Sequence, residues 1–75
     1  MSDREDTDRL ARDIDEARSL LDRTEGMELM VPYLRTRLSD TLARAEQTPA
    51  GSADMESIMS TLEDLMNQVR ENAGL

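Results

Sequence analysis

The chain has 75 residues, 17 of them acidic against 9 arginines, and it contains no lysine, histidine or cysteine. This length allows one domain, close to the lower limit for a self-sufficient core. The missing residue types exclude disulfides, the usual zinc sites, Schiff bases and catalytic pairs built on His or Cys. A net charge of −8 argues against direct binding to nucleic acid or to an anionic membrane, because both require a basic face.

Carboxylate pairs remain as possible acids and bases. Asp13, Asp15 and Glu16 are close in sequence, but their spacing spreads them over the solvent side of an amphipathic helix. The acidic start at Asp3–Asp8 does not follow the calcium-loop pattern either. We therefore expect no enzyme activity, no catalytic residues, no metal site and no cofactor.

The first six residues are polar and are expected to fray as an acidic leader. They lack the apolar region that a secretion signal contains, and no apolar run in the chain approaches the length of a membrane span. We expect a cytoplasmic protein.

A first helix is predicted over about residues 7–24. Apolar side chains recur there at helical steps, and pairs such as Arg9 with Asp13 and Arg18 with Asp22 stand four residues apart. Gly26 is the expected stop, since many helices end on a left-handed glycine. The predicted inward stripe consists of Leu10, Ile14, Ala17 and Leu21.

The second helix is predicted over about residues 28–47, with Pro32 in its first turn, where a missing N–H is tolerated. Its inward stripe is Leu34, Leu38, Leu42 and Ala45. The run Thr48-Pro49-Ala50-Gly51-Ser52 then breaks the chain.

The third helix is predicted over about residues 53–72, capped by Ser52 or Asp54 and ended at Gly74. It carries no positive charge from Met55 to Val69. Its apolar stripe is wide and consists of Met55, Ile58, Met59, Leu62, Leu65, Met66 and Val69. One stripe per helix and short connections predict a single all-α domain over residues 1–75, a small antiparallel three-helix bundle. Whether the bundle closes within one chain or is completed by homodimerisation is left open by the sequence.

Two functions are open at this stage. The first is a non-enzymatic interaction or regulatory module that forms homo-oligomers or docks a protein partner; the wide methionine stripe and the only aromatic residue suggest it. The predicted interaction residues are Tyr33, Met55, Met59, Leu62 and Met66. Methionines at helical spacing are, however, more often plain core. The second is a small acidic inhibitor, such as an antitoxin, an immunity-type protein or a nucleic-acid mimic, that occupies a basic site on its target.

Overall fold

Three helices in mutual contact account for most of this chain. A computed structural model describes residues 2–49 and 51–75 and contains α1 (Ser2–Arg23), α2 (Leu34–Gln47) and α3 (Met55–Ala73). Each helix contacts both of the others, and no strand occurs in the described part of the chain. The predicted all-α class and three-helix bundle are therefore confirmed.

The core is built from the apolar face of each helix. Its residues come from all three helices and are almost fully enclosed without a second copy of the chain. The stripes predicted for α2 and α3 are confirmed, except that Ile58 is only half-buried. The buried apolar residues are Leu10, Ala17, Leu20, Leu34, Leu38, Leu42, Ala45, Met55, Met59, Leu62, Leu65, Met66 and Val69.

The buried face of α1 is rotated from the predicted one. Ile14 and Leu21 are half-buried, and the enclosed positions include Asp13 and Leu20 instead. The expectation that Asp13 lies on the solvent side was wrong, whereas Asp15 and Glu16 are exposed as predicted. Positions 10, 13, 17, 20 and 24 follow helical steps of three and four, so periodicity alone does not distinguish this face from its neighbour.

The start of α1 differs from the predicted frayed leader. The helix begins at Ser2, so the leader is helical from that residue onward, while Met1 lies outside the described residues. Acidic residues near a helix N-terminus are favoured by the helix dipole, and Glu5 stands four residues before Arg9, the stabilising order for such a pair.

The start of α2 also differs, since this helix begins at Leu34 rather than near residue 28. Pro32 disfavours helical geometry for Val31 before it, so the chain becomes helical only after the proline. The Val31 carbonyl accepts a hydrogen bond from Leu34 N–H at 3.2 Å, and the Tyr33 carbonyl accepts one from Arg37 N–H at 2.9 Å. At 1.5 Å per residue α2 is only about 21 Å long, against about 33 Å for α1.

The end of α3 follows the predicted local rule, whereas its start lacks the predicted side-chain cap. The helix ends on Gly74 in the left-handed conformation, as predicted, and the Gly74 N–H donates to the carbonyls of Arg70 and Glu71. At the start, Asp54 occupies the N-cap position, but its side chain makes no capping hydrogen bond. The Asp54 main-chain carbonyl accepts the Ile58 N–H at 3.0 Å.

Ion pairs join the helices to one another. Arg9 of α1 binds Glu63 of α3 at 2.6 Å, Glu16 of α1 lies 3.4 Å from Arg70 of α3, and Arg18 of α1 binds Glu46 of α2. Exposed pairs of this kind each contribute at most about 1 kcal/mol. They nevertheless favour one arrangement of the three helices.

No helix in the described residues is long and apolar enough to cross a membrane.

Gly26 ends the turn after α1 at a φ of +79°. The position is open, because a Cβ built there meets no atom within 4 Å. We expect Gly26→Ala to lower the free energy of unfolding by about 1–2 kcal/mol, the cost of left-handed backbone for an L-residue. Urea unfolding checks this value. Gly26→Asn is the control and should lose less, since Asn tolerates this conformation better; an alanine variant as stable as the parent would contradict the backbone explanation.

Candidate interaction surface

The structure places the predicted interaction residues in two different environments. Met55, Met59, Leu62 and Met66 lie inside the bundle, and none of them is more than 4% exposed. Tyr33 is 72% exposed and lies just before α2. A partner therefore cannot reach the four α3 side chains in this fold, and only Tyr33 remains on an accessible surface.

The connection between α1 and α2 is held by a buried threonine. Thr24 is fully enclosed, and its hydroxyl donates a hydrogen bond to the Leu20 carbonyl at 2.8 Å. Arg35, in the first turn of α2, donates from Nε to Thr24 Oγ1 at 3.0 Å and from Nη2 to the Leu21 carbonyl at 2.8 Å. This network attaches the start of α2 to the end of α1 and sets the position of the residues between them.

Four large apolar side chains of this connection face solvent. Met27 is 42% exposed, Met30 89%, Val31 46% and Tyr33 72%. We call these four residues the connection surface. Single exposed apolar residues are ordinary in soluble proteins, whereas contiguous exposed apolar patches are typical of interaction sites. Leu29 differs from them, because it is half-buried and packs against the core.

A groove of about 450 Å³ borders the connection surface. It is lined by Met27, Glu28, Leu29, Pro32, Arg35 and Thr36. Three of these lining residues are apolar and three are polar or charged, so a side chain entering the groove would meet both kinds of group. Tyr33 and the methionines beside the groove are residue types that interfaces favour.

The connection itself carries two acids and no base, and Arg23 and Arg37 flank it. Glu25 and Glu28 are exposed, and residues 24–34 contain no basic side chain. Arg35 borders the segment, but its guanidinium donates to the Leu21 carbonyl and to Thr24. Arg35, which lines the groove, is therefore already engaged within the chain, whereas Glu25 and Glu28 are exposed.

A larger groove lies at the α2–α3 turn. Its volume is about 510 Å³, and six of the eight described residues that line it are polar or charged, the other two being Pro49 and Ile58. It lacks the exposed methionine and tyrosine anchors of the connection surface. Within the described residues, no group of three or more His, Cys, Asp or Glu side chains is arranged to hold a metal ion.

Sequence reasoning missed most of the connection surface, although a signal was present. Met27, Leu29, Met30 and Val31 crowd together before Pro32, whereas a helix buried on one face spaces its apolar residues three or four apart. Placing this segment inside a helix hid that irregularity. The comparisons with known proteins supply no further guide, since no protein-family model, curated protein or solved structure matches this chain.

Proposed function

We propose that this chain is a non-enzymatic interaction module that docks a protein partner through the connection surface. The observation that carries the proposal is the exposure of Met27, Met30, Val31 and Tyr33 in one short segment beside a groove. Among the described residues, Leu75 is the one other large apolar side chain that is exposed, so the connection is the segment where binding can remove several such side chains from water. The Thr24–Arg35 network supports the segment and lowers the ordering cost of binding.

The partner that fits best is a basic amphipathic protein segment. Its apolar side chains would contact Met30 and Tyr33, and its lysines or arginines would lie near Glu25 and Glu28. A second copy of the chain fits less well, because each copy has a net charge of −8 and the segment itself has two acids and no base. Complementary charge also speeds the encounter of the two partners.

A synthetic peptide tests this partner chemistry directly. The probe is a helix of about 14 residues made of leucine and lysine, with the leucines on one face. Tyr33 is the only aromatic residue, so its fluorescence reports on the connection surface without a label. We expect the peptide to change this fluorescence and to shift the amide NMR signals of residues 27–33 more than those of the outer faces of α1 and α3.

The matched control is a peptide of the same composition with its leucines scattered around the helix. The two peptides carry equal charge, so weaker binding of the scattered one isolates the apolar contact. Met30→Ser should weaken binding of the amphipathic peptide about tenfold, since removing one buried apolar anchor costs about 1–2 kcal/mol. Thr61→Ser, an exposed change on α3, should have no effect. Equal binding of both peptides would overturn the proposal.

Capture by charge alone is the second candidate, and the net charge of −8 favours it. An acidic inhibitor of a basic site would bind both peptides and release both at about 1 M NaCl, where the Debye length is about 3 Å. Docking through the connection surface would retain the preference for the amphipathic peptide at that salt concentration.

Light scattering on the free chain tests the predicted homo-oligomer separately, since a dimer that occludes Tyr33 would replace the basic partner by a second copy.

A further inference from the structure

An acidic pair occupies the interface between α1 and α3. Asp13 is only 5% exposed, although it carries a carboxyl group. Asp13 and Glu63 of α3 line the same cavity between the two helices. No donor among the described residues reaches Asp13 Oδ2, which is itself fully enclosed. An ionised carboxylate in this position would have a desolvated oxygen without a partner, which is costly.

Arg9 determines which of the two acids is charged. Its Nε and Nη2 donate to the two carboxylate oxygens of Glu63, at 2.8 and 2.6 Å. This two-point contact favours the ionised form of Glu63. Two carboxyl groups can share a hydrogen bond only when one of them holds a proton, because ionised carboxylates are acceptors only. The proton therefore belongs on Asp13, which can donate it to Glu63.

The other charged groups around the pair are on the same two helices. Arg9, Arg12 and Glu16 of α1 and Glu63 and Arg70 of α3 line a cavity of about 370 Å³ next to Asp13. No described residue of α2 lines this cavity. Arg70 lies 3.4 Å from Glu16, so its charge is directed to that acid. Glu16 and Glu63 both disfavour a negative charge on Asp13, and Arg9 favours it.

These surroundings shift the two pKa values in opposite directions. Burial, reinforced by the hydrogen bond with Glu63 and by its charge, raises the pKa of Asp13 to about 7. The hydrogen bonds from Arg9 and from Asp13 lower the pKa of Glu63. The pKa values of two neighbouring carboxyl groups commonly move apart in this way, so that one group keeps its proton.

We propose that Asp13 and Glu63 share one proton and form a pH-sensitive contact that holds α1 against α3. Above neutral pH the proton is lost, two negative charges then face each other inside the interface, and the packing of α1 on α3 loosens. Because the change falls near neutral pH, modest acidification tightens the bundle and alkalinisation relaxes it.

The direction of the stability change follows from proton binding. Between about pH 4 and pH 7 folded Asp13 holds a proton that the unfolded chain has released, so the free energy of unfolding falls as pH rises through this range and levels off above it. Glu63 has the opposite effect at lower pH. Its pKa is lowered in the folded chain, so its ionised form stabilises the fold at pH values above the ordinary pKa of a glutamate, and this stabilisation is lost as pH falls. The stability maximum is therefore expected at weakly acidic pH.

Urea unfolding from about pH 5 to about pH 8.5 tests the shared proton. Asp13→Asn is the informative variant, since the amide has the same shape, is always neutral and can donate to Glu63. Asp15→Asn is the matched control, because it removes the same charge from an exposed position of α1. Each variant removes one carboxyl group from α1, so the change in overall repulsion among the acids is the same in both. We expect the urea midpoint of the parent and of Asp15→Asn to fall with pH and that of Asp13→Asn to stay nearly constant.

A second measurement keeps the proposal testable if Asp13→Asn folds poorly. The carboxyl carbon of Asp13 in the parent chain should titrate near pH 7 by NMR. Glu63→Gln removes the facing charge and should move that titration to lower pH. Titration of Asp13 near its ordinary value of 3.8, or equal pH dependence of the Asp13→Asn and Asp15→Asn midpoints, would overturn the shared proton.

Discussion

Replacing Met59 by Glu is expected to unfold this chain at neutral pH. Met59 is 1% exposed and lies in the core of the bundle, where an ionised carboxylate has no partner. Isolated buried charges cost many kcal/mol. At the usual 0.05–0.15 kcal/mol per residue, a domain of this size has only about 4–11 kcal/mol of total stability. Far-UV circular dichroism should therefore show loss of most of the helical signal.

Ser60→Glu is the matched control, because it adds the same charge one residue away on the exposed side of α3. We expect its helical signal to equal that of the parent. Met59→Ala should remain folded but lose about 2–5 kcal/mol through the cavity that it leaves. Were the methionine face of α3 a free docking surface instead, Met59→Glu would keep its helix content, and this outcome would contradict the core assignment.

Thr24→Val is expected to lower the free energy of unfolding by about 1.5–3 kcal/mol, the range measured for hydrogen bonds to charged groups. Valine preserves the shape of the side chain but removes the donor to Leu20 and the acceptor of Arg35 Nε. Since Thr24 is fully enclosed, water cannot replace the lost hydroxyl. Urea unfolding measures the loss, and hydrogen exchange should show faster opening at the start of α2.

Thr61→Val separates this network from the general effect of the substitution. Thr61 donates to the Ser57 carbonyl at 3.0 Å, the same four-residue pattern that Thr24 makes, but on an exposed face and without an arginine. We expect a change within about 0.5 kcal/mol for this control, as is usual for surface substitutions. Equal losses in the two variants would mean that Arg35 contributes nothing to the junction.

The helical stripes of α2 and α3 were predictable because helical periodicity is a local property. Leu34, Leu38 and Leu42 recur at steps of four, and a helix with such a face must bury it. The glycine stop of α3 follows from the same local logic, since Gly74 ends this helix in the left-handed conformation. Gly26 also adopts that conformation, but it lies in the turn three residues after α1 ends at Arg23. The start of α2 was predicted too early. A proline is tolerated in the first turn of a helix, but Pro32 disfavours helical geometry at Val31, and the helix begins only at Leu34.

Residue spacing within one helix does not predict which ion pairs form in the folded chain. Arg9 and Arg18 stand four residues before Asp13 and Asp22, which predicts pairs inside α1. In the folded chain their guanidinium groups bind Glu63 of α3 and Glu46 of α2. Long arginine side chains exchange a weak local partner for one on a neighbouring helix once packing brings that helix within reach.

The all-α class, the three helices and most of the core follow from apolar spacing and from glycine and proline over a few neighbouring residues. Tertiary packing encloses Met55, Met59, Leu62 and Met66, leaves Met30 and Tyr33 in solvent, and buries Asp13 between α1 and α3 beside the same cavity as Glu63. These outcomes are not local, because exposure and pKa depend on which helix faces which, and packing among residues far apart in the chain makes that choice.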